Sequence, residues 1–190
     1  MEPTSPHQNQ LGFQRHWAAH YGGSILNVGC KEDPASIHTC SDDVTNLDVQ
    51  DKDSYTQAKL TPPGFVNADF LDWEAPKLYD TIVLGEVLEH CDDLRVREFL
   101  SKAYTCLKDD GHLIITCPQD KRPKHEQHDE AGLYEVREGV TTWHQNYITE
   151  DYLKAKLKNA GFKVVLYETQ WWMKDKGIFW HFVVAERNSE

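Results

Sequence analysis

Tyr79-Asp80-Thr81-Ile82-Val83-Leu84-Gly85-Glu86-Val87-Leu88-Glu89-His90 is the stretch on which the reading of this chain turns. It reads as a buried strand that opens, at its carboxyl end, onto a polar turn. In open parallel sheets, ligands lie outside the carboxyl ends of the strands. Gly85, Glu86 and His90 are therefore expected at the chemical end of the sheet.

Strand and helix signals alternate on both sides of it. Upstream, residues 13–21 suit a short helix presenting Phe13, Trp17 and Tyr21, and residues 24–28 suit a buried strand ending at Gly29. Asp33-Pro34 reads as a helix start, with Asp as N-cap and Pro at the first helical position. Residues 44–48 form a second strand, and 65–67 a third after the breaker Pro62-Pro63-Gly64. Downstream, Val96, Phe99, Leu100, Ala103, Tyr104 and Leu107 fall at helical spacing with one buried face. The turn Lys108-Asp109-Asp110-Gly111 leads to a strand over 112–117, halted by Pro118. Thr149 caps a further helix that begins with Glu150 and Asp151 and stops at Gly161. Strands at 163–169 and 178–186 close the chain. Only Lys174-Asp175-Lys176-Gly177 and its flanks join them, too little for a parallel crossover, so the last strand is expected to run antiparallel. The pattern predicts an α/β fold: a doubly wound, seven-stranded, mostly parallel sheet with an antiparallel last strand and helices on both faces.

With 190 residues, the chain suits one domain, with residues 1–12 flexible. Its formal charge of −11 argues against a nucleic-acid partner, since phosphate neutralisation needs clustered Lys and Arg. The clump Lys121-Arg122-Pro123-Lys124 is short and followed by acids. No apolar run approaches the roughly 20 residues of a membrane span, and the first residues lack a secretory signal's apolar stretch. Neither nucleic acid nor membrane is expected as a partner. Five cysteines without a Cys-x-x-Cys pair point to reduced thiols and a cytoplasmic location.

The first strand runs into Leu26-Asn27-Val28-Gly29-Cys30-Lys31-Glu32-Asp33, and Leu107-Lys108-Asp109-Asp110-Gly111 precedes the fifth. With the Asp-apolar run-Glu-x-Leu-Glu-His of the opening stretch, these segments resemble class I S-adenosylmethionine (SAM) dependent methyltransferases. His144-Gln145-Asn146-Tyr147-Ile148-Thr149-Glu150-Asp151 and Asn159-Ala160-Gly161-Phe162 extend the resemblance, which runs from about residue 13 to 187. It implies SAM as cofactor and methyl transfer as the activity. In the family's acid-x-Gly-x-Gly-x-Gly motif, Gly29 fills the first glycine, Asn27 replaces the acid, and Lys31 and Asp33 replace the later glycines. SAM carries no phosphate, so those losses weigh more against a nicotinamide-dependent reductase than against a methyltransferase. Lys31 is a candidate partner for the methionine carboxylate of SAM, or a surface lysine. Asp48, 19 residues past Gly29, stands where an acid accepts the ribose hydroxyls. The resemblance implies that Asp69 accepts from the adenine amino group while Phe70 lines the ring, and it places Gly85 and Glu86 at the cofactor.

An acceptor that must lose a proton needs a general base, and His90 and His144 are the candidates. Each is equally a possible structural hydrogen-bonder. Residues 119–143 are too long and polar for a simple connector and suit a lid or acceptor-binding insertion. They hold His125, Glu126, His128 and Asp129, whose two histidines are not a helical i, i+4 pair, so no metal is expected. Trp143, Tyr147, Trp171 and Trp172 are candidates for an acceptor wall or for packing. No Asp-Pro-Pro-Tyr or Asn-Pro-Pro-Tyr follows the fourth strand, which tells against amino-methylation of DNA bases. The expected acceptor is a small molecule, methylated on oxygen or nitrogen. The degraded glycine motif keeps a non-catalytic SAM-fold binding or regulatory subunit as the alternative.

Overall fold

The computed structural model describes residues 9–31, 33–49, 62–119, 135–141, 144–173 and 178–188. Seven strands form one sheet: β1 (Ser24–Val28), β2 (Asp43–Asp48), β3 (Phe65–Asn67), β4 (Tyr79–Gly85), β5 (Leu107–Gln119), β8 (Phe162–Met173) and β9 (Ile178–Arg187). Their spatial order is β3-β2-β1-β4-β5-β9-β8. β1 to β5 pair in parallel, and β9 runs antiparallel between β5 and β8. A separate hairpin pairs β6 (Glu135–Arg137) with β7 (Val140–Thr141).

Alternation along the strands separates two cores. Leu26, Val28, Ile82, Leu84, Leu113, Ile115, Val183 and Ala185 face one side. Against them pack α2 (Asp93–Cys106), through Val96, Phe99, Leu100 and Ala103, and α3 (Glu150–Asn159), through Leu153 and Leu157. Ile25, Val83, Ile114, Phe182 and Val184 face the other side, where α1 (Gln10–Tyr21) lays Phe13 on Phe182 with ring centroids 4.9 Å apart. Helices thus cover both faces, as the alternation of signals predicts.

Three local expectations change. The N-terminal helix begins at Gln10, inside the segment expected to be flexible, because Asn9 caps it by accepting from the Gly12 N–H at 2.8 Å. No α-helix starts at Asp33-Pro34; the described chain there makes only a 3₁₀ turn, Ile37–Thr39. Asp33 and Ser36 both take left-handed backbone (φ 52° and 54°), which interrupts a right-handed helix. β5 runs through the expected turn at 108–111 and past Pro118. β4 pairs with it no further than Thr116, so Pro118 sits on a stretch paired only with β9, where a missing N–H is tolerated as on an edge strand. The connection 174–177 lies outside the described residues.

Candidate active site

The chain leaves β1 for β2 and β3 on one side, and β4 leads to β5 on the other. The gap between the carboxyl ends of β1 and β4 is therefore the sheet's topological switch point, where ligands of such sheets bind. Register brings the ends level: Val28 pairs with Leu47 and Leu84, and Asp48 with Asn67. A cleft of about 210 Å³ opens there, lined among others by Gly29, Lys31, Asp48, Asp69, Phe70, Glu86 and His90. A second hollow of about 260 Å³ shares Gly29, Lys31 and Glu86 and adds Gly85, Asn27 and Gln14. The two meet over the loop after β1.

Gly29 has φ 69°, and a Cβ there would lie 2.6 Å from Val87 Cγ2, so only glycine lets this loop pass the turn after β4. At Gly85 a Cβ would meet the Gln14 amide at 2.5 Å, and that amide, which would have to shift, donates to Thr116 Oγ1 at 2.6 Å. Asp48 is 5% exposed, and its Oδ2 accepts from the Lys31 N–H at 2.8 Å. Asp69 Oδ1 accepts from the Leu71 N–H at 2.8 Å in a local turn. Phe70 touches the cleft but is 2% exposed, a core side chain with Phe99 5.5 Å away.

Glu86 lines both hollows in a left-handed conformation (φ 58°). Its Oε2 accepts from the Trp180 indole N–H at 2.8 Å, and its Oε1 is buried without a hydrogen bond among the described residues. Burial pushes its carboxyl up, opposed by Trp180, Thr116 and the Lys31 charge. Glu89 is 1% exposed; burial first, and then the neighbouring Glu86 charge, drive its carboxyl well above the usual range. The Cys117 thiol donates to Glu89 Oε2 at 3.4 Å, while Oε1 is buried with no hydrogen bond.

His90 lines the cleft, and His144 packs edge-on against it, centroids 5.1 Å apart, without itself lining the cleft. Backbone contacts hold this pairing across 54 residues of sequence. Gln145 and Asn146 N–H groups donate to Glu89 O at 3.0 and 3.3 Å, and the Asp92 N–H donates to Gly139 O at 2.8 Å. Val140 bridges to Cys91 and, with Thr141, forms part of the cleft wall. Trp143 and the run 125–129 lie outside the described residues, as does the side chain of Trp172. Tyr147 shares a hydrogen bond with the Gln119 amide, and Trp171, half exposed on β8, packs on Phe179.

Sequence reasoning passed over Glu89, Trp180, Val140 and Thr141. Glu89 stands in the stretch quoted first and is visible there as a Glu-His pair. The other three carry no local signal, because only tertiary pairing brings Val140 and Thr141 to the cleft and Trp180 to the Glu86 carboxylate.

A family model described as a methyltransferase domain matches residues 6–167, and the chain belongs to that family. Solved structures share its fold at low identity. The 1,6-didemethyltoxoflavin-N1-methyltransferase of Burkholderia thailandensis, solved with 1,6-didemethyltoxoflavin and S-adenosylhomocysteine, gives a TM-score of 0.67 at 16% identity. That match covers 96% of this chain and 80% of that one. The N-methyltransferase NodS of Bradyrhizobium japonicum WM9 gives 0.64 at 16% identity, over 96% and 99% of the two chains. Magnesium protoporphyrin IX methyltransferase (ChlM) of Synechocystis PCC 6803, with bound SAM, gives 0.64 at 17%, over 96% and 80%. No curated protein matches the chain in sequence. Family and fold together are those of class I SAM-dependent methyltransferases.

Proposed function

We propose that the chain transfers the methyl group of SAM to an oxygen or nitrogen of a small-molecule acceptor bound at the His90 end of the cleft. The observation that carries this reading is the convergence of Asp48, Asp69, Glu86 and His90 on one cleft at the switch point. The donor set fits the cofactor. Asp48 meets the ribose hydroxyls, and Asp69 meets the adenine amino group beside Phe70. Gly29 lets the loop between the two hollows pass Val87, and Gly85 admits the Gln14 amide beside them. Glu86, whose Oε1 is buried without a hydrogen bond, suits the ammonium of the methionine moiety, and Lys31 its carboxylate.

SAM, when bound, supplies an electrophilic methyl on a sulfonium. The chain's own part is positioning, which for an in-line displacement supplies much of the rate. The lid or acceptor-binding role expected of residues 119–143 draws support from Val140 and Thr141 in the cleft wall, while 120–134 and 142–143 lie outside the described residues. No helix among the described residues is long and apolar enough to cross a membrane. The five cysteines are free, which suits a reducing cytoplasmic setting. The B. thailandensis neighbour is a 1,6-didemethyltoxoflavin-N1-methyltransferase, which supports a small-molecule acceptor here.

Calorimetric SAM binding tests the reading. Asp48→Ala is expected to weaken binding by about 1.5–3 kcal/mol, the usual worth of hydrogen bonds to a charged group. Unchanged affinity in a folded variant removes Asp48 from the ribose.

A further inference from the structure

We infer that Glu89, His90 and His144 form a binding site for one divalent transition-metal ion at the acceptor end of the cleft. One ligand atom from each lies within 4.8 Å of the other two. Ligands about 2.0–2.1 Å from a single ion lie at most about 4.2 Å apart, so closing the set asks for side-chain shifts below an ångström. The sequence contains no metal motif for this set, because the third ligand comes from 54 residues away. The fold supplies it by pairing Gly139 and Val140, and then Gln145 and Asn146, with the backbone of 89–92. Besides the hydrogen bonds to Glu89 O, the Gln145 amide donates to His90 O at 2.9 Å.

Glu89 Oε1 gives the independent observation. The residue is 1% exposed, and this oxygen has no hydrogen bond among the described residues. His90 Nε2 lies 3.6 Å from it, beyond hydrogen-bond length. Leaving a buried carboxylate oxygen unsatisfied is costly. A cation seated among the three side chains gives that oxygen its partner.

The donor set selects the ion. Two imidazoles and one carboxylate suit zinc, iron(II), cobalt(II) or manganese(II), whereas calcium and magnesium favour all-oxygen shells. Three protein ligands leave coordination positions open, as catalytic rather than structural sites do. His90 is the ligand whose side chain reaches the cleft, 22% exposed, so the open side faces the acceptor. The acceptor class is then a small molecule with an oxygen donor, such as a hydroxyl, at or beside the methylated atom. This last step rests on the reading of the cleft as a methyltransferase site. As ligands, the two histidines hold the acceptor rather than take its proton, which replaces the general-base role suggested by their residue type.

The test uses the full chain, stripped with a chelator and titrated with cobalt(II). One equivalent is expected to bind, with visible bands of a four- or five-coordinate ion. Glu89→Gln, which keeps the buried shape, and His144→Ala are each expected to weaken that binding by about 100-fold or more, since even outer-shell changes cost about 10–100-fold. Calorimetry with S-adenosylhomocysteine on the same samples monitors the fold and the cofactor site separately. Absence of cobalt binding, or equal cobalt affinity in wild type and both variants, overturns the site, whatever the nucleoside does. Cobalt binding that the variants lose, in a chain that fails to bind S-adenosylhomocysteine, keeps the metal site and overturns the methyltransferase reading.

Discussion

Lys31 and Asp33 take left-handed backbone (φ 46° and 52°) although each carries a side chain, at a cost of roughly 1–2 kcal/mol per residue. Surrounding bonds hold both in place. The Lys31 N–H donates to Asp48, and the Asp33 carboxylate accepts from the Ile37 and His38 N–H groups at 2.8 and 2.9 Å. His38 Nδ1 lies 2.6 Å from the same carboxylate, and the Asn27 amide donates to it at 3.3 Å. With Ser36 and Glu86, these are the four non-glycine left-handed residues among those described, and three of them line the cleft or its adjoining hollow. Strain of this kind gathers at functional sites. Lys31→Gly therefore relieves strain while removing the charge, whereas Lys31→Ala removes the charge alone. Against the entropic cost of glycine, about 0.5–1 kcal/mol, the glycine variant is expected to be more stable than the alanine variant by about 0.5–1 kcal/mol in urea melts. Both variants lose the same SAM affinity, up to about 1 kcal/mol for an exposed ion pair. A glycine variant less stable than the alanine variant would show that the loop is not strained at Lys31.

Far from the site, Asp80 clamps three neighbouring strands at their amino ends. Its carboxylate accepts from the Ser24 N–H and hydroxyl of β1, each at 2.7 Å, and from Lys108 Nζ of β5 at 2.7 and 2.8 Å. Burial alone would raise its pKa, but the Lys108 and Ser24 bonds outweigh it and hold Asp80 at about 2, below its ordinary 3.8. A depressed carboxyl stabilises the fold above its unfolded pKa and loses that contribution as pH falls through the folded value. The clamp is therefore expected to weaken between about pH 4 and pH 2. Asp80→Asn should be less stable than wild type at neutral pH, with the gap closing below pH 2; a gap independent of pH would show that the charge plays no part. The carboxylate is 34% exposed, so solvent limits the size of the effect. At this scale the sequence is most legible. The continuous apolar run of β4, buried on both faces, and the Val96-Phe99-Leu100-Ala103 stripe of α2 depend on local pattern, and both elements form where that pattern puts them. The failures have tertiary causes. A helix signal at Asp33-Pro34 gave way to a carboxylate bonding its neighbours, and β5 outran its proline because β9 pairs with it there. The Glu89-His90-His144 cluster depends on backbone pairing between segments far apart in sequence, which no local periodicity encodes.

At the scale of the whole molecule, the cleft exists only when distant segments are assembled. Its walls run from Val28 to Thr141 and include the ends of β1 and β2, the turn after β4, the α2 residue Phe99, and β7 of the hairpin. An unfolded chain holds none of these side chains together, so a cofactor that fits the cleft binds the folded state alone. Linkage then makes binding readable as stability: ligand at 100 times its Kd adds about 2.7 kcal/mol. For a chain of this length that corresponds to a rise in Tm of about 5–11 °C. S-adenosylhomocysteine at that excess is expected to produce such a shift. NADPH is expected to produce none, because Lys31 and Asp33 put side chains where a pyrophosphate needs bare backbone. The same melt separates an enzyme from a SAM-fold chain whose altered glycine loop no longer binds nucleoside. A shift with S-adenosylhomocysteine alone supports the methyltransferase, a shift with NADPH alone supports a reductase, and a flat response to both leaves the cleft without the cofactor that its carboxylates suit.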